Sequence, residues 1–122
     1  MFNLNGRDYA NGVYSNMLTV VETPTFQKLW PNYWTEEERG EFTAYIAANP
    51  DDGDPVKRSG GVRKVRWSRV GSGKSGGVRI VYFNRKKAGE VVLLLIYAKA
   101  NLDSISGETL KELRDVAEKA SQ

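Results

Sequence analysis

The segment GGVRKVRWSRVGSGKSGGVRIVYF, residues 60–83, decides how the rest of the chain is read. Its two ends, VRKVRW (62–67) and VRIVYF (78–83), are rich in β-branched and aromatic residues and read as strands. Between them lies GSGKSGG (71–77), whose Gly73-Lys74-Ser75 looks like the end of a phosphate-binding P-loop. That motif needs another glycine five positions before the Gly of its Gly-Lys pair, and a helix after it. Ser68 stands in the glycine's place, and VRIVYF carries no helix signal. The P-loop reading fails on both counts, and the glycines become the connection of an antiparallel pair.

Working outward, NRKKAG (84–89) leads into EVVLLLIYAK (90–99), apolar at nearly every position as in a strand buried on both faces. The three strands make an antiparallel meander. Upstream, DDGDP (51–55) reads as an exposed acidic turn. It lacks the remaining ligands and the terminal glutamate of a calcium loop. Before it, Phe26, Leu29, Trp30, Tyr33 and Trp34 recur at helical spacing, with Pro31 kinking or dividing the helix. TEEE (35–38) has capping-box form and opens a second helix, whose stripe is Phe42, Tyr45 and Ile46 and whose end is Asn49-Pro50. These aromatics are read as core. LTVVE (18–22) makes a first strand, and Leu110, Leu113, Val116, Ala117 and Ala120 line a last helix with Ser104 or Ser106 as its N-cap.

The expected class is therefore α+β. A small antiparallel-rich sheet carries two N-terminal helices and a C-terminal helix, in the order β-α-α-β-β-β-α. Residues 17–122 form that domain. Residues 1–16, polar and rich in Asn and Gly without a clear period, are expected to be a loosely ordered extension.

The chain of 122 residues suits one core, not two. It contains neither cysteine nor histidine, so thiolate metal sites, disulfides and the usual acid–base group near neutral pH are all missing. The longest apolar run, VVLLLIYA (91–98), falls far short of the roughly 20 residues of a spanning helix. With no secretory signal at the N-terminus, a cytoplasmic protein without membrane contact is expected. The net charge of +3 conceals a segregation. Eleven of the eighteen basic residues lie within 57–87, where there is no acid at all, so every acid lies outside that window. Such a distribution predicts a surface that binds a polyanion.

Side chains alternate along a strand, so Lys64 and Arg66 share one face while Val65 and Trp67 share the other. Tyr97 and Lys99 also share a face. If the three strands are neighbours, Lys64, Arg66, Tyr97 and Lys99 converge on one cleft with Lys74 at its rim. Arg79 lies on the face of Val81 and Phe83, and alternation alone leaves open whether it joins them.

GGVRKVRW, GSGKSGGVRIVYF and LLLIYAK together resemble the HigB/RelE-type toxins of bacterial type II toxin–antitoxin modules, over roughly residues 17–120. The resemblance implies a ribosome-dependent endoribonuclease, an mRNA interferase that cuts messenger RNA in the ribosomal A site and so inhibits translation. It also implies a helix-turn-helix antitoxin as partner, and metal-free transesterification without a cofactor. By motif, Lys64 and Arg66 match the basic pair on the strand after the helices, Arg79 the arginine of the third strand, and Tyr97 with Lys99 the strand end that closes the site. Lys57, Arg58, Arg63, Arg69, Lys74, Arg85, Lys86 and Lys87 are then contacts to ribosomal or messenger RNA. The physical logic agrees: arginines stabilise the charge of a pentacoordinate phosphate, and a lysine crowded by cations is pushed toward its neutral, basic form. The chain departs from the RelE pattern in ANLDSIS (100–106), which lacks a second arginine and a C-terminal tyrosine. Tyr97 and Lys99 stand in for them. Two other readings compete: a non-nucleolytic ParE-like toxin acting on gyrase, and a non-catalytic nucleic-acid-binding regulator with strongly salt-dependent binding.

Overall fold

A computed structural model describes residues 17–68, 77–98 and 104–120. Its elements are β1 (Thr19–Glu22), α1 (Pro24–Leu29), α2 (Glu36–Ala48), β2 (Asp54–Pro55), β3 (Arg63–Trp67), β4 (Val78–Arg85), β5 (Glu90–Tyr97) and α3 (Gly107–Ala120), with single 3₁₀ turns at Trp30–Asn32 and Lys86–Ala88. The five strands form one sheet in the order β1-β5-β4-β3-β2. β1 runs parallel to β5, and every other pairing is antiparallel. The α+β class and the expected meander are both present. Pro31 divides the first helix, and the chain turns through Trp30–Asn32 before α2. The expected strands shift by a residue or two at their ends, and β2 is an addition that the turn-like DDGDP concealed.

Local chemistry accounts for the helix ends. Thr23 caps α1 by accepting from the Phe26 amide, and Pro24 at the first position loses no hydrogen bond. The capping box of α2 is complete: the Thr35 hydroxyl accepts from the Glu38 amide at 3.1 Å, and the Glu38 carboxylate accepts from the Thr35 amide at 2.8 Å. Ser106, one of the two expected caps, accepts from the Thr109 amide at the start of α3.

Alternation then divides the core in two. On one face Val65, Val78, Ile80, Tyr82, Val91, Leu93 and Ile96 meet Phe26, Trp34, Phe42 and Ile46 of the N-terminal helices. On the other, Val62, Val81, Phe83, Val92, Leu94 and Tyr97 meet Leu110 of α3. The aromatics of the helical region split accordingly: Phe26, Trp34 and Phe42 are buried, while Tyr33 stays exposed and Tyr45 half-buried. One irregularity alters the count. Val81 pairs with Leu95 but Tyr82 pairs with Leu93, so Leu94 is an extra residue in β5, a β-bulge. Leu94 and Leu95 both pack on the α3 side, and from there the alternation is reversed. Tyr97 consequently lies on the α3 face, not with Val91 and Leu93.

Candidate active site

The register of β3 on β4 resolves what strand alternation left open for Arg79, and the bulge in β5 adds Tyr97. In register, Arg66 stands opposite Arg79 and Arg79 stands opposite Tyr97. Residues directly opposite in a sheet point to the same side, so the three make a row across β3, β4 and β5. Lys64, two residues from Arg66, shares that side next to Val81. A groove of about 540 Å³ opens there, lined by Lys64, Arg66 and Arg79 together with Asp52, Asp54 and Val56. Two arginines in direct cross-strand opposition repel one another, which is an unfavourable choice for a sheet that has only stability to serve. A phosphate between them would relieve the repulsion.

The members of the row differ in exposure. Arg66 is open to solvent, whereas Arg79 is only 9% exposed and donates from Nη1 to the Ala98 carbonyl at 3.2 Å. That bond orients its guanidinium along the sheet. Tyr97 is 4% exposed and packs with Val62, Val81, Phe83 and Leu110. A ring so covered is better placed to support Arg79 than to stack on a base. Lys99 lies outside the described residues, as do Arg69, Lys74 and the rest of the glycine loop. Gly77, at the return of that loop into β4, has φ +68°, and a Cβ there would run into the Trp67 carbonyl oxygen. Only glycine fits.

The remaining basic residues scatter. Lys57 and Arg58 are exposed on the turn before β3, and Lys87 is exposed after β4. Arg85 is ion-paired to Glu90 at 3.3 Å and to Glu118 at 3.7 Å. Lys86 is paired to Asp51 at 2.8 Å. Arg63 points away from the groove and works inside the protein, donating to the carbonyls of Gly53 at 2.6 Å and Asp51 at 3.1 Å. With a rise of about 3.4 Å per residue, Arg85 sits about 20 Å along β4 from Arg79. The acid-free window of the sequence is thus interleaved in space with acids from elsewhere, and its cations near the far end of β4 form a region separate from the groove.

Two groove residues escaped the sequence reading. Asp52 and Asp54 lie in what reads as a plain acidic turn, yet Asp54 is the register partner of Lys64. The missed signal was Ser59-Gly60-Gly61. The Ser59 hydroxyl accepts from the Val62 amide at 3.0 Å and donates to the Val56 carbonyl at 2.6 Å, closing a tight turn that folds Asp54–Pro55 back onto β3.

No protein-family model matches the chain. Among solved structures, a mutant of the E. coli toxin RelE with two arginine-to-alanine substitutions, in the free state, is similar at a TM-score of 0.57. The match covers 79% of this chain and 97% of that one, at 15% sequence identity. The fold is RelE-like. Its five-stranded mixed sheet and three helices set the row of basic residues on the face that α3 only partly covers. Among the described residues of this RelE-like fold, no helix is long and apolar enough to cross a membrane.

Proposed function

We propose that the chain is the toxin of a toxin–antitoxin pair, a ribosome-dependent endoribonuclease that cleaves messenger RNA in the A site and halts translation. The observation that carries this reading is the opposition of Arg66 and Arg79 in a groove that Lys64 also lines. Three cations held on rigid strands make a preorganised receptor for a phosphodiester, and their charge counts most as the phosphate gains charge on the way to a pentacoordinate state. The ribose 2′-oxygen attacks the adjacent phosphorus, the bond to the 5′-oxygen breaks, and a 2′,3′-cyclic phosphate and a 5′-hydroxyl result. Arg79, fixed by the Ala98 carbonyl, is assigned to the equatorial oxygens, and Lys64, with its three donors, to the leaving oxygen. Tyr97 holds Arg79 in line, and Lys99 closes the strand end.

Lys57, Arg58, Arg69, Lys74 and Lys87 are assigned to ribosomal or messenger RNA backbone. Arg63, Arg85 and Lys86, already engaged internally, contribute to the same field at longer range. The functional unit is 17–122, with 1–16 an extension, and it works in the cytoplasm without a cofactor. Its inhibitor is a helix-turn-helix antitoxin that covers the basic groove.

Messenger RNA cleavage in a reconstituted translation system tests this, with and without ribosomes. Wild-type protein is expected to cut only when ribosomes are present. Arg79→Ala is expected to lower the cleavage rate on the order of 100-fold or more, as removal of a transition-state donor does. Intact RNA together with arrested growth on expression would move the reading to a gyrase-type target. Intact RNA and normal growth would leave a binding module.

A further inference from the structure

Lys64, Arg66 and Arg79 can donate hydrogen bonds at neutral pH, but none of them can take up a proton while charged. A 2′-hydroxyl that attacks phosphorus must lose one. Among the described residues lining the groove, the side chains with a free lone pair for that proton are the carboxylates of Asp52 and Asp54. Asp52 is committed elsewhere. Its Oδ2 accepts from the Tyr45 hydroxyl at 2.8 Å, and that bond pushes the Tyr45 hydroxyl above the usual tyrosine range. Asp54 is exposed and stands directly opposite Lys64, on the side of the sheet that carries Arg66 and Arg79.

The turn that carries Asp54 is built with unusual firmness for an exposed acidic loop. The buried Tyr82 hydroxyl donates to the Pro50 carbonyl and accepts from the Gly53 amide, each at 2.8 Å. Asn84 donates to the same Pro50 carbonyl at 3.0 Å, and Arg63 grips the carbonyls of Asp51 and Gly53. Gly53 leaves no space for a side chain, since a Cβ would come within 2.8 Å of the Tyr82 ring and hydroxyl. Three residues of the sheet, Tyr82, Asn84 and Arg63, thus fix the backbone on which the carboxylate is mounted, which is how a side chain is held ready for chemistry.

We infer that Asp54 is the general base of the cleavage, taking the proton of the attacking 2′-hydroxyl. The inference rests on the endoribonuclease reading above and adds a catalytic residue to it. The step balances within the groove. The 2′-oxygen forms its bond to phosphorus as its proton passes to the Asp54 carboxylate. The 5′-oxygen leaves with a proton from the Lys64 ammonium, and water returns the proton from Asp54 to Lys64 before the next turnover.

Single-turnover cleavage on programmed ribosomes between pH 5 and 8.5 tests this, with wild type, Asp54→Asn and Asp54→Glu. The wild-type rate should not climb with pH across this range, because a carboxylate base does not depend on deprotonating a lysine. Asp54→Asn should cut 10²- to 10⁴-fold more slowly, roughly the range of a lost general base, with ribosome affinity and thermal midpoint unchanged. Asp54→Glu should regain part of the rate. A wild-type enzyme that cuts while Asp54→Asn stays within about threefold of it overturns the role of Asp54 alone. So does a rate that climbs with pH throughout the range, which marks a neutral lysine as the base, or a loss in Asp54→Asn that lies wholly in ribosome affinity. Absence of cleavage by the wild type overturns this inference and the proposed function together.

Discussion

The two faces of the sheet are made from the same strands and carry opposite duties. On the side of α1 and α2, four aromatic or aliphatic anchors seal the surface, and Phe42 meets Trp34 at a tilt and Trp67 edge-on, at centroid distances of 5.3 and 5.2 Å. On the side of α3 only Leu110 of the helix is fully buried, and Val116 remains 67% exposed. Arg85 and Arg114 pin that helix from its flanks, through Glu118 and the face of the Phe83 ring. The partial cover leaves the ends of β3 and β4 open, and the cationic groove occupies the gap. A sheet that must hold charge next to its core can do so when one face supplies most of the stability and the other is left incomplete.

That division can be broken most forcefully at Phe42. It is fully buried, it meets both Trp34 and Trp67, and Phe42→Ala should cost about 3–5 kcal/mol in chemical denaturation. A loss below about 1 kcal/mol would mean that the aromatic face is not the main support. Tyr82→Phe probes how one face serves the other. Tyr82 lies in the aromatic core but its hydroxyl fixes the turn that borders the groove. Its removal takes the hydroxyl from the Gly53 amide, while the Pro50 carbonyl keeps Asn84, at a cost of about 1–3 kcal/mol. Under the proposed function, cleavage should fall as well, by more than any loss of folded protein explains.

The smallest effect belongs to the far end of β4. Hydrogen bonding from Lys86, helped by the nearby Arg63, holds the Asp51 carboxyl below the usual carboxylate range. A carboxylate depressed in the folded state contributes stability above its unfolded value, about 3.9, and loses it as the pH falls through and below that value. Both partners are more than half exposed, so solvent screening keeps the contribution under about 1 kcal/mol. Lys86→Ala should therefore lower stability at neutral pH by less than about 1 kcal/mol and leave it unchanged in acid, which flattens the acid side of the profile. Thermal midpoints between pH 3 and 7 would show it.

Much of this was legible from local signals. The capping box at Thr35, the division at Pro31 and the β-branched strands each depend on residues within a few positions of one another, and each was readable. The cross-strand facts were not. That Arg66 faces Arg79 follows from a register fixed by the ladder, and that Tyr97 joins them follows from one extra residue in β5. Asp54 was hidden for a related reason: three acids around a glycine look like solvent-facing turn chemistry until the chain doubles back at Ser59. The ion pairs of the charge window were hidden too. Arg63, Arg85 and Lys86 look unpaired in the sequence, but Glu90 meets Arg85 across the connecting turn, and Asp51 and Glu118 come from elsewhere in the chain.

Leu94 gives β5 something akin to a frame shift. Counted in twos from its start, the strand belongs to one parity, and its last residues belong to the other. The groove lies downstream of that slip, so Tyr97 backs Arg79 only because the counting changes midway. Two chains with identical residues at every site position, one with the additional leucine and one without, would present Tyr97 to opposite sides of the protein. Composition and motif would not tell them apart; only the phase would.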